Sequence, residues 1–146
     1  MRVRLVGSFV LLAVVTFARP SVGQASRDSL VLHCEQVDVR GSCLLYSASI
    51  IQLLARPEIF DGKRVRVIGF IHFEFEGNGF YLNKDDYDHA LYSNGLWVEI
   101  KAGANTSAKC QDSYVLVEGV FQAAHHGHMG LWGGAIVDIT RCQIWA

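Results

Sequence analysis

Between Phe60 and Phe75 the chain alternates with a period of two. Val65, Val67, Gly69, Ile71, Phe73 and Phe75 fall on one side, and Arg64, Arg66, Ile68, Phe70, His72 and Glu74 on the other. Alternation of this length predicts a β-strand with one buried face. A turn at Asp61-Gly62 opens it. Gly69 at its centre predicts a bulge or bend, because a strand-interior glycine gives up packing and entropy unless the backbone needs the room. Upstream, Ser47–Arg56 repeats apolar residues at helical spacing: Ile50, Leu53 and Leu54 share a face, Ser47 or Ser49 can cap the start, and Pro57 limits the end.

Downstream, Glu76-Gly77-Asn78-Gly79 is a turn signal before a short strand, Phe80-Tyr81-Leu82. Lys84–Tyr92 is polar and acidic and suits one or two helical turns. Further strands are expected at Gly95–Ile100, at Tyr114–Phe121 with an internal glycine, and at Ala135–Ile144. A loop rich in glycine and histidine, Ala123–Gly133, precedes the last strand. The expectation is an all-β domain with one short N-terminal helix, built as a five-stranded Greek-key barrel over 47–146. An arm at 26–46, either extended or a short added strand, precedes it.

The motifs L-L-x-x-P-E-x-F-D-G-K-x-V-x-V-x-G-F at Leu53–Phe70, Y-L at Tyr81-Leu82, Y-V-L-V-E-G-x-F at Tyr114–Phe121 and G-H-M-G at Gly127–Gly130 resemble small exported bacterial OB-fold proteins, barrels of the tRNA-anticodon-binding type whose function is uncharacterised. The resemblance spans Ser47–Arg141 and implies the OB fold. It implies little about activity, since one fold hosts many functions.

Composition changes the picture at the N-terminus. Met1–Arg4 is basic, Leu5–Ala18 is apolar, and Gly23-Gln24-Ala25 offers small residues for cleavage, so 1–25 reads as a secretory signal peptide. The apolar run is shorter than the roughly 20 residues of a spanning helix, so no membrane span is expected after cleavage. Removing the leader takes Arg2, Arg4 and Arg19 from the 13 basic residues and none of the 14 acids, which moves the net charge from −1 to about −4. That balance argues against nucleic acid, whose binding draws on phosphate neutralisation. Export to the periplasm or outside the cell also suits the 4 cysteines, all in the mature part. Of three connectivities, Cys34–Cys43 and Cys110–Cys142 are favoured, the first closing a local loop and the second tying the last strand to the approach to the strand before it. Buried thiols are the competing reading. A zinc site lacks the usual cysteine spacing.

OB-folds bind on the face of their second and third strands, rimmed by the loops after the first and fourth. Here that face draws on Phe80, Tyr81, Leu82, Trp97 and Glu99, with Phe80 or Tyr81 outward according to register. One rim holds Glu74, Glu76 and Asn78, and the other His125, His126, His128, Met129 and Trp132. The candidate ligand residues are Phe80, Tyr81, Trp97, Trp132, Glu74 and Glu76. His125, His126 and His128 are candidate ligands for a divalent transition metal, since imidazole is its commonest protein ligand. Solvated loop histidines are the plainer explanation. No nucleophile elbow, zinc-protease helix or phosphate loop is present, so no catalytic residue is assigned. The sequence therefore suggests a monomeric binding module without a cofactor, for a protein, glycan or cationic ligand, with a metal-binding protein as the alternative.

Overall fold

The structure is a computed structural model, and it describes residues 32–100 and 110–145. The expected signal peptide lies outside the described residues. The described part falls in the compact unit Val31–Ala146. Seven strands are described: β1 (His33–Val37), β2 (Cys43–Ser47), β3 (Arg64–His72), β4 (Gly79–Tyr81), β5 (Gly95–Val98), β6 (Ser113–Gln122) and β7 (Ala135–Ile144). The last five close a barrel. β3 pairs β4, β4 pairs β5, β5 runs parallel to β7, β7 pairs β6, and β6 returns to β3. This closed five-stranded barrel is compatible with an OB-like architecture.

β3 organises the barrel. Along one edge it pairs with β6 from Arg64 to Ile71. The other edge is shared: Val65 and Arg66 pair with β2, and Phe70–His72 pair with β4. Gly69 sits between the two partners, and a Cβ there would come within 2.4 Å of the Tyr81 carbonyl oxygen. The glycine is required by that close approach of β4.

Alternation assigns the faces. Val65, Val67 and Ile71 point inward with Phe80, Leu96, Val98, Val115, Val117 and Phe121, all essentially inaccessible. Each such side chain contributes about 1.5–3 kcal/mol by leaving water. The strand ends at His72, short of the expected Phe75, which is 91% exposed. On the outer face Arg66 bridges Glu35 and Glu118 at 2.9 and 2.8 Å, and Arg141 joins Glu118 at 3.2 Å.

The expected helix is α1 (Ile50–Ala55), capped by Ser49, whose hydroxyl accepts from the Gln52 amide while the Gln52 side chain accepts from the Ser49 amide. A second single turn, α2 (Pro57–Phe60), follows with Pro57 at its start. The acidic stretch forms α3 (Lys84–Asp88), capped by Asn83, and then a 3-10 turn at Tyr92–Asn94. The arm 26–46 is more ordered than a simple extension: β1 and β2 form an antiparallel hairpin closed by Cys34–Cys43. The second expected disulfide, Cys110–Cys142, is also formed and anchors the approach to β6 onto β7.

Candidate functional site

Register settles which aromatic residues face outward. Phe70, Tyr81 and Gly95 are cross-strand neighbours, so Tyr81 lies on the outer face, while Phe80, paired with Ile71 and Leu96, is core. The outer face is nonetheless covered. The Tyr81 ring lies over Gly79 and Gly95, where a Cβ would come within 2.3 and 2.7 Å of it. α3 brings Tyr87 onto it with ring centres 5.8 Å apart, and Tyr87 also meets Phe70 at 5.9 Å. Trp132 packs on Tyr92 at 5.2 Å and on Trp97 at 5.0 Å. Of the candidate ligand residues, Phe80 is 0%, Tyr81 1% and Trp132 3% exposed, so none of the three presents a surface in this conformation. Burial pushes the Tyr81 phenol up to about 12, against a smaller opposing effect of the Trp132 indole. That indole N–H is buried near Tyr81 and, among the described residues, meets no acceptor in full hydrogen-bond geometry.

What stays open is the rim around Trp97. A shallow pocket is lined by Glu76, Asn78, Trp97, Glu99, His125 and His128. His125 Nε2 lies 3.4 Å from Glu99 Oε1, and His128 Nε2 lies 3.4 Å from Glu76 Oε2. The two pairs approach Trp97 from the β3–β4 turn, the end of β5 and the β6–β7 loop. Gly127 lies against the indole: a Cβ there would come within 2.6 Å of the ring. Its backbone angles, φ 63° and ψ −158°, belong to a region that is essentially glycine-only. Glu76 and Met129 hold φ of 58° and 56°, unusual for residues with a side chain. Backbone strain at both rims coincides with the cross-loop pair Glu76–His128.

The three histidines therefore separate. His126 Nδ1–H donates to the Trp132 carbonyl at 2.8 Å, and the Trp132 amide donates to the His126 carbonyl at 3.2 Å. His126 thus closes the loop on itself. His125 and His128 face the rim. Among the described residues no three His, Cys, Asp or Glu side chains gather closely enough to hold a metal ion. Glu74, the remaining candidate, lies 3.7 Å from His72 and away from Trp97's pocket.

His72 is part of a cluster that sequence reasoning missed. Its Nδ1 lies 2.5 Å from Asp112 Oδ1, its Nε2 3.0 Å from the Tyr87 hydroxyl, and its ring stacks on Tyr87 at 4.2 Å. His72 holds the Asp112 carboxyl below its ordinary value, with Gln111 assisting. The partners stand 40 and 15 residues away, so no local motif could have revealed them.

No protein-family model, curated protein sequence or solved structure matches the chain. No helix among the described residues is long and apolar enough to cross a membrane. The two disulfides are those of a protein folded in an oxidising environment.

Proposed function

We propose that this chain is an exported binding module, similar to the small bacterial OB-fold proteins its motifs resemble, and that it holds a hydroxyl-rich ligand of the glycan type against Trp97. The observation that carries this reading is the rim itself: a half-buried indole between two imidazole–carboxylate pairs from separate loops, with strained backbone on both sides. An indole supplies an apolar platform for the face of a sugar ring. Imidazole and carboxylate supply directional hydrogen bonds to hydroxyls, and the lining, Trp97 among Glu76, Asn78, Glu99, His125 and His128, is polar enough to suit a hydroxyl-rich ligand. With the expected leader removed the chain is acidic, at about −4, which also supports a ligand without phosphates.

The second reading, a transition-metal protein, is favoured by one observation: His125 and His128 line the same pocket as Glu76 and Glu99. A single experiment separates the two. The purified protein is titrated with a panel of oligosaccharides and with zinc while tryptophan fluorescence is followed, and the titration is repeated with Trp97→Phe, Glu99→Gln and His125→Ala/His128→Ala. The glycan reading expects saturable sugar binding weakened at least about tenfold by Glu99→Gln through loss of a charge-assisted hydrogen bond. Saturable zinc binding abolished by the double histidine variant, with no response to any sugar, would overturn it in favour of the metal.

A further inference from the structure

Separate from the Trp97 pocket, α1 and the β4–α3 connection line a groove of about 450 Å³. Ile51, Leu54, Ala55 and Leu82 line it, and Ile51 and Leu82 are 59% and 40% exposed. Asp86 and Asn94 line it as well. Asp86 is the buried charged residue among those described, at 9% exposure. Its backbone amide is taken by the Asn83 side chain, and its backbone carbonyl by the Leu91 amide. Its carboxylate accepts one hydrogen bond, from Asn94 Nδ2 at 3.2 Å, and no Lys, Arg or His pairs with it among the described residues. An ionised carboxylate offers about four acceptor positions. No cation faces it among the described residues, and buried charges are ordinarily paired.

The geometry points to a second binding site, for a small aliphatic ammonium compound, in this groove. The ammonium group meets the Asp86 carboxylate, which lines the groove beside Asn94 and has no cation of its own among the described residues. The hydrocarbon part lies along Ile51, Leu54 and Leu82 and leaves water there. Volume agrees, since small-ligand pockets typically run from about 300 to 1,000 Å³. Charge selects the ligand: a carboxylate of the same shape is repelled, and an alcohol gains the apolar contact without the ion pair. The site shares none of these residues with the Trp97 rim, so it stands or falls independently of the function proposed there.

The test is amide NMR of the protein with hexylamine, hexanol and hexanoate at neutral pH. The expected result is that hexylamine shifts the Ile51, Leu54 and Asn94 signals and binds at least about tenfold more tightly than hexanol, the scale of one charge-assisted contact. Hexanoate leaves those signals in place. In Asp86→Asn the amine falls to the affinity of the alcohol. Ile51→Lys, a change at an exposed position that puts a cation over the groove, abolishes amine binding with the melting temperature retained. Equal affinity of amine and alcohol for the unaltered protein overturns the proposal without reference to any variant. So does an amine preference that survives Asp86→Asn, or a response confined to Trp97.

Discussion

Gly127 is where the fold and the candidate site meet, and replacing it with alanine separates two costs. The first is conformational. At φ 63° and ψ −158° an alanine is held where essentially only glycine is found, at about 1–3 kcal/mol. The second is steric. The new Cβ would lie within 2.6–2.7 Å of three Trp97 ring atoms, and forcing an extra methyl into a packed contact costs about 1–3 kcal/mol. Together these come to about 2–6 kcal/mol, most of which lies below the 5–15 kcal/mol by which domains are commonly stable. The chain should therefore stay folded while the 123–133 loop lifts from Trp97. Gly130→Ala is the matched control: its φ is 71°, but a Cβ meets nothing within 4 Å, so it carries a left-handed penalty of about 1 kcal/mol and no clash. Urea unfolding gives the global loss for each variant. Near- and far-ultraviolet circular dichroism report the Trp97–Trp132 pair, whose rings meet edge to face at 5.0 Å and couple optically. The expected result is a larger drop in urea midpoint for Gly127→Ala than for Gly130→Ala, with the coupled tryptophan signal lost only in the former. A difference under about 1 kcal/mol with the signal intact would refute the claim that Gly127 is held by contact with the indole.

Acid should find the His72 cluster. Because His72 holds Asp112 below 3.8, its contribution to stability is fully present above that value and is lost as pH falls through the depressed folded value. Asp112→Asn should flatten the acid limb of a stability–pH curve, and an unchanged limb would count against the pairing. The two disulfides should differ in worth. Closing 32 residues rather than 9 removes more chain entropy, so Cys110→Ala/Cys142→Ala should cost about 3–4 kcal/mol and Cys34→Ala/Cys43→Ala about 2–3 kcal/mol, with the reverse ranking in urea midpoints as the contrary result.

The barrel was legible because its information is local. Alternation in β3, the Asp61-Gly62 turn, the glycine at 69 and the Pro57 stop each act within a few residues. The disulfide pairing followed from loop length and strand order. The cover over the outer face was not legible. Tyr81 sits on the side expected of a ligand-binding residue, and only the packing of Tyr87, Tyr92 and Trp132 onto that side makes it interior. Those residues come from a helical turn and a loop whose docking no periodicity encodes. Phe73 and Phe75 continued the alternation, but pairing with β4 stops at His72, so alternation outlasted the strand. The histidine loop shows the same limit. Three imidazoles within four residues look equivalent in sequence, yet one staples the loop and two face the rim, a division set by the 126–132 hydrogen bonds.

Closing the barrel leaves its five strands without a free edge, but the β1–β2 hairpin restores one. Among the described strands β1 is the outermost, with Val37 62% and nearby Val39 fully exposed. An unpaired strand edge with apolar side chains is a template for other chains. Two features blunt it: the pairing slips between Cys34 and Val37, which breaks the straight run of donors and acceptors, and the Cys34–Cys43 bond fixes that irregular shape. The short disulfide, worth the less in stability, is thus the guard on solubility. Where it is reduced, self-association through β1 is the failure to look for, ahead of unfolding.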